Sequence, residues 1–338
     1  MSPSTEGRST PLTLSPATTG RRTPWAILRR ALFGISPEET SFSRRGFRGD
    51  SAVVRERLER VGACFVHGYH AALEEDAPLA IAARIDGLER EFRGFAYEGA
   101  GMALALLDAM PFGRRDRLAR FLAGPGEPHT YLVNVGAGWI LARLPVSPER
   151  LLARLDPLLG WLAMDGYGFH EGFFRWPRSV ARMEVPRKVR GYARRGFDQG
   201  LGRSLWFVDG ADVTLLPRTI GAFPQERRAD LWAGLGLACG YAGGRTRAEV
   251  EELKRAAGEH LPSLAQGVAF AAKARERGGN LAPHTELAAG VICGMTAAEA
   301  AAVTDRAIEG LPAGRPGEPA FEVWRQRIQE RFRKGAQA

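Results

Sequence analysis

Lysine is nearly missing from this 338-residue chain. Lys188, Lys254, Lys273 and Lys334 are the four among 47 basic residues, and the rest are arginine. The formal net charge of +9 is therefore an arginine excess, in a composition rich in alanine and glycine. It gathers at the two ends and in one central stretch. A nucleic-acid interface concentrates its charge on one face or helix, so nucleic acid is not among the expected partners. Cysteine is scarce too. Cys64, Cys239 and Cys293 cannot all pair within one chain, and no Cys-x-x-Cys occurs, which excludes a zinc ribbon or a redox dithiol. Each stands among small apolar residues and reads as a buried thiol in a reducing compartment. No run approaches the ~18 apolar residues of a membrane span. The apolar string Trp25–Leu28 is cut by Arg29-Arg30 before it forms a secretory core. A cytoplasmic protein is expected.

What is present is mostly helical. Residues 1–24 are Ser, Thr, Pro, Gly and Arg with little to bury, and read as a disordered tail. An N-terminal arm follows over residues 25–50. Its segment Trp25 to Phe33 is a basic amphipathic helix that docks on the protein's own body or rests on an anionic membrane surface. Three- and four-residue apolar spacing predicts helices over residues 55–74, 79–93, 98–110, 148–164, 247–257, 266–277 and 296–311. One short strand pair is a candidate near residues 204–216, in Ser204–Val208 and Asp212–Leu216.

Self-comparison adds a repeat. Tyr97-Glu98-Gly99 returns as His170-Glu171-Gly172, and Val61-Gly62-Ala63 as Val135-Gly136-Ala137. Arg93-Gly-Phe95 and Arg195-Gly-Phe197 each lead into an acid-or-amide followed by Gly-x-Gly. One helix type opens with Glu/Gln-Gly, at 98, 171, 199 and 266. A second carries glycine, alanine and cysteine near 62, 136, 234 and 290. Small residues belong where helix axes approach closely. The expected fold is mainly α: a solenoid-like array of diverged helical hairpins. Its first half spans residues 51–175 and its second 196–330, joined by a basic connection over 176–195, with a short tail over 331–338.

Long and unusual strings carry a resemblance. They include Ala31-Leu-Phe-Gly-Ile-Ser-Pro-Glu-Glu39, Gly68-Tyr-His-Ala-Ala-Leu-Glu74 and Arg93-Gly-Phe-Ala-Tyr-Glu-Gly99. Asp165-Gly-Tyr-Gly-Phe-His-Glu-Gly172, Phe197-Asp-Gln-Gly-Leu-Gly-Arg-Ser-Leu-Trp206 and Ala229-Asp-Leu-Trp-Ala-Gly-Leu-Gly236 extend it. From about residue 25 to about 330 the chain resembles a bacterial domain-of-unknown-function family. Its members are encoded in the conserved cassette beside the iterative enediyne polyketide synthase and its thioesterase. The resemblance implies work on a linear conjugated polyene or polyyne after chain release, alongside other cassette proteins. It supplies no catalytic residues, no reaction and no cofactor.

The chemistry must then come from the residues. Glu98, His170 and Glu171 are the candidates for acid–base catalysis. Tyr97, Asp198, Gln199, Gln266, Trp139, Phe173 and Trp206 are the candidates for binding the chain. On an apolar wall, desolvation raises a carboxylate toward neutrality, where proton transfer is efficient. The competing reading makes the recurring Glu and Gln structural, bonding helix starts or neighbouring amides in every repeat. A scaffold or chaperone that holds the polyene and bridges cassette partners fits that reading. His67 and His70 share a helix face with Glu74 one turn on, a partial metal set, but neither His-Glu-x-x-His nor facing Glu-x-x-His pairs occur. The Gly-x-Gly pairs at 99/101, 136/138, 200/202 and 234/236 lack the third glycine of a dinucleotide site and read as helix packing. The connection Arg175 to Arg195 holds seven arginines and Lys188 against one acid, Glu184. It is either a solvated loop or a contact for an acidic partner, a carrier domain or lipid.

Overall fold

The computed structural model describes residues 23–111, 114–315 and 317–335. The tail expected over 1–24 lies outside them, apart from its last two residues. Ten helices carry the architecture: α1 (Pro24–Phe33), α2 (Ala52–Glu74), α3 (Arg93–Ala109), α4 (Thr130–Gly138) and α5 (Leu162–Phe174), then α6 (Ala193–Val208), α7 (Gln225–Ala242), α8 (Leu261–Arg277), α9 (Ala297–Ile308) and α10 (Ala320–Gly335). Short helices and loops return the chain between them. The C-terminal tail expected from residue 331 is helical as far as Gly335. Among the described residues the only strand-like pairing is an isolated bridge between Arg315 and Glu318.

The strand pair expected at 204–216 is not there. Ser204–Val208 is the end of α6, and Asp212 begins a turn into a short helix, Leu215–Gly221. The run Leu-Trp-Phe-Val looks strand-like because α6 is an interior helix, buried from Gly196 to Val208 on every face, and such a helix loses its 3.6-residue polar stripe. The helix expected over 148–164 is also divided. It breaks after Leu152 and resumes as a 3-10 turn at Leu159–Trp161 leading into α5.

Glycine sets how α2 to α8 stack. Gly68 packs on the Ala96 carbonyl while Gly99 packs on that of Phe65. Gly101 and Gly136 make the same exchange with Val133 and Glu98, and Gly138 and Gly166 with Ala163 and Val135. Gly168 and Gly200 exchange with Phe197 and Asp165, Gly202 and Gly234 with Leu231 and Gln199, and Gly236 and Gly267 with Leu264 and Ala233. A Cβ on any of the twelve would fall 1.7–2.4 Å from that oxygen, so no side chain fits. In each Gly-x-Gly the first glycine meets the preceding helix and the second meets the following one. Such contacts bring Cα–H groups onto carbonyl oxygens, each worth about 0.5–1 kcal/mol.

The helices in this row run parallel. Met164, Asp165 and Gly172 of α5 meet Gly196, Gly200 and Ser204 of α6 in that order. The two ends of the row meet. Arg57 Nε of α2 donates to the Ala242 carbonyl closing α7 (2.7 Å), Phe95 of α3 packs edge-on to Tyr241 (5.0 Å), and Arg275 Nη1 of α8 donates to the Glu91 carbonyl (3.2 Å). The exchange between α5 and α6 continues the row across the basic connection. The positions of both helix types distinguished in the sequence lie in this row except Gly290, which stands with nothing against it in a separate short segment, Ala289–Cys293. Register follows the glycines: the residue before the first glycine is Glu98, Val135, Asp165, Gln199, Ala233 and Gln266. Glu171 stands six residues beyond Asp165 and is not their equivalent.

Candidate functional site

The curled row leaves an apolar space on its inside. One cavity, of about 40 Å³, is walled by Trp139, just past α4, and by aromatic side chains from five helices, among them Phe65, Phe169, Phe173 and Phe207. A second, of about 20 Å³, lies among Tyr131, Leu132, Leu162 and Phe270, and Arg203, Leu237 and Tyr241 line both. The two chambers thus follow one another, with Arg203 at their junction. The N-terminal arm covers one end, where Ile35 and Thr40 join the lining. It is tied down by the Ile35 amide donating to His70 Nε2 (3.1 Å), the Phe42 amide donating to Glu59 (2.8 Å) and the Arg48 amide donating to the Val208 carbonyl (2.7 Å). As it stands the space admits water-sized groups.

The polar centre of this space is Glu98. Arg203 holds it with a two-pronged grip, Nη2 to Oε1 at 3.1 Å and Nη1 to Oε2 at 3.2 Å, and Trp139 Nε1 donates to Oε1 at 3.3 Å. Arg203 Nε lies 2.9 Å from Asp165 Oδ1, and Gln199 Nε2 donates to Asp165 Oδ2 at 3.0 Å. The guanidinium also stands over the Phe169 ring, 4.3 Å from its centroid. Two carboxylates thus share one cation where no water reaches. Burial drives both Glu98 and Asp165 above the usual carboxylate range, and Arg203 opposes the rise. A carboxyl so placed holds its proton more tightly than a solvated one, beside an apolar space.

Of the residues singled out in the sequence, Glu98, Trp139 and Phe173 line the cavity, and Gln199 supports Asp165 behind it. His170 and Glu171 stand at its edge. His170 packs on Trp139 (5.5 Å) and Phe174 (4.8 Å), and burial holds it below the usual histidine range. Glu171 pairs with Arg175 at 3.3 Å. Glu98 and His170 touch the same indole, one at its Nε1 and one edge-on. The remaining four are elsewhere. Tyr97 stacks on His129 (4.0 Å) with its hydroxyl donating to Asp86, and Asp198 is gripped by Arg227 at 2.6 and 2.9 Å. Trp206 donates to the Gly243 carbonyl at 3.0 Å, and Gln266 accepts from Arg325 and Gln329 in a second buried network. They do not form one polar surface with Glu98, since each is held by a different partner and none lines the cavity.

Sequence reasoning missed Arg203 and Asp165. Asp165 had a signal, since it precedes the first glycine of Gly166-x-Gly168 as Glu98 and Gln199 precede theirs, whereas Arg203, one arginine among many, had none. The partial metal set is otherwise engaged: His70 accepts from the Ile35 amide, His67 Nε2 lies 3.3 Å from the Arg84 carbonyl, and Glu74 pairs with Arg84 at 3.0 Å. No group of three metal-ligating side chains occurs among the described residues. No single helix there is long and apolar enough to cross a membrane.

Neither the curated proteins nor the solved structures hold a match to this chain. Residues 24–332 match a protein family, nearly the whole of what has been described above, and the chain belongs to that family, "Protein of unknown function (DUF1702)".

Proposed function

We propose that this protein acts in enediyne natural-product biosynthesis, tailoring a released linear polyene or polyyne on its way to the enediyne core. The observation that carries the reading is the pairing of an aromatic-walled, nearly dry space with one buried carboxyl, Glu98, that burial pushes above its usual range and Arg203 holds in place. A conjugated hydrocarbon offers a site little to hydrogen-bond. Its recognition rests on ring contact and burial, at about 25 cal/mol per Å² of apolar surface removed from water. In this role Glu98 exchanges a proton with the chain, Arg203 and Trp139 fix its orientation, and Asp165 with Gln199 fixes Arg203. His170 and Glu171 act at the rim. The resemblance to enediyne-cassette proteins supplies the pathway, and the cavity supplies the kind of substrate.

A second reading is a scaffold that holds the polyene and hands it between cassette proteins, one of them in a membrane. It is favoured by α1, where Trp25, Ile27, Leu28 and Leu32 are exposed beside Arg29 and Arg30. That face suits peripheral attachment of a cytoplasmic protein to an anionic membrane surface. The test is genetic. In a producing strain lacking this gene, a linear intermediate accumulates, and the wild-type gene restores the core. Under the enzyme reading a Glu98→Gln gene does not restore it although the protein is made. Full restoration by Glu98→Gln moves the choice to the scaffold.

A further inference from the structure

The end of the cavity beneath the N-terminal arm is unlike its walls. Phe174 is half-buried there, and two guanidiniums stand over its ring, Arg45 at 5.3 Å and Arg143 at 5.7 Å from the centroid. Arg175 follows next in the chain. Three of the neighbouring arginines already face acids: Arg45 pairs with Glu39, Arg175 with Glu171, and Arg30 with Glu74 at 3.7 Å. Arg143 is exposed and, among the described residues, has the Phe174 ring but no ion pair or hydrogen bond.

His170 is the second observation. It is 4% exposed, packs against Phe174, and neither ring nitrogen has a hydrogen-bond partner. Glu171 Oε1 is 3.6 Å from its Nδ1, too far for a bond. A buried imidazole left without partners is destabilising, and such groups call for an explanation. An oxygen placed between Phe174 and the arm would answer both needs. It would accept from the imidazole N–H and lie beside the one guanidinium without an acid.

We infer that the rim formed by Arg143, Arg45 and His170 around Phe174 binds the anionic end of a linear apolar chain whose body occupies the cavity. This rests on the reading of the cavity as a chain-binding site and narrows its ligand from any hydrocarbon to an amphiphile with a carboxylate or phosphate at one end. Two sources share that chemistry: a free long-chain acid, and a chain held as a thioester on a phosphopantetheinyl arm. With its head at the rim, the chain runs inward past Trp139 toward Glu98 and Arg203, so head recognition also decides which carbons reach the carboxyl.

Parinaric acid, a conjugated tetraene fatty acid that fluoresces on leaving water, is the direct probe, with its methyl ester as the neutral match. The full-length protein is titrated with each below the micelle concentration, as wild type, Arg143→Ala and Arg143→Lys. The expected result is at least tenfold tighter binding of acid than ester by the wild type. Arg143→Ala should lose most of that preference by weakening the acid alone, and Arg143→Lys should keep much of it. Equal binding of acid and ester by the wild type, or a preference untouched by Arg143→Ala, overturns the inference while leaving the cavity reading in place. Failure of both probes to bind overturns the two together. A phosphopantetheinyl thioester of the same chain separates the sources. If it binds tighter than the free acid and loses that advantage in Arg143→Ala, the rim reads phosphate. If it binds no better, the rim reads the carboxylate.

Discussion

Replacing Gly200 by alanine should unfold this protein more readily, although alanine is the better helix former. The added Cβ would lie 1.8 Å from the Asp165 carbonyl oxygen, against an ordinary separation of about 3.4 Å, so α5 and α6 must part by about 1.5 Å. Overpacking of this kind costs roughly 1–3 kcal/mol and sometimes more, and the lost Cα–H contacts add about 0.5–1 kcal/mol. Helix propensity returns about 0.8–1 kcal/mol. The net is a loss of about 1–3 kcal/mol. Gly221 is the control: it is exposed, and an added Cβ there meets nothing within 4 Å, so alanine should be neutral or stabilising by up to about 1 kcal/mol. Urea unfolding followed by circular dichroism at 222 nm reads both. The distortion should also reach the site, since Gln199 and Arg203 flank Gly200 and both contact Asp165. A Gly200→Ala variant as stable as wild type would refute the close-crossing account.

Other outcomes follow from buried charge. Arg203→Met leaves Glu98 and Asp165 without their cation and should cost about 3–5 kcal/mol in the same urea assay; adding Glu98→Gln and Asp165→Asn should recover most of it, and no recovery would place the damage in packing instead. Burial lowers His129 to about 4 in the fold, against about 6.5 unfolded. The unfolded chain therefore binds the extra proton, and stability should fall by about 3 kcal/mol as pH drops from 6.5 to 4; His129→Gln should flatten that slope of midpoint against pH. Burial pushes the Cys64 and Cys239 thiols up to about 12 and raises Cys293 as well. A thiol reagent at pH 8 should label none of the three before unfolding, and fast labelling of native protein would contradict their placement.

Much of the fold was legible, through glycine more than through hydrophobic period. The pairs at 99/101, 136/138, 200/202 and 234/236 read as helix packing, and the structure places them at helix crossings. The pair at 166/168 and the single glycines at 68 and 267 belong to the same series, which advances in steps of roughly one helix and its return. Aligning on Glu-Gly instead of Gly-x-Gly put Glu171 in the place of Asp165, so half of the buried polar centre was missed. Arg203 was hidden for a physical reason. An arginine in a chain full of solvated arginines carries no mark in the sequence, and only the curling of the row, which brings α6 against α3 across 105 positions, reveals what it grips. The misread strand had the same origin, since interior helices lack the polar face that announces a helix.

The most direct trial of the cavity as a working site pairs purified wild-type protein with Glu98→Gln on a linear polyene, in single turnover, followed by absorbance and mass. Both should bind the polyene alike, and only the wild type should change its conjugated spectrum. Turnover by Glu98→Gln at the wild-type rate would contradict a proton-transfer role for the carboxyl that Arg203 holds.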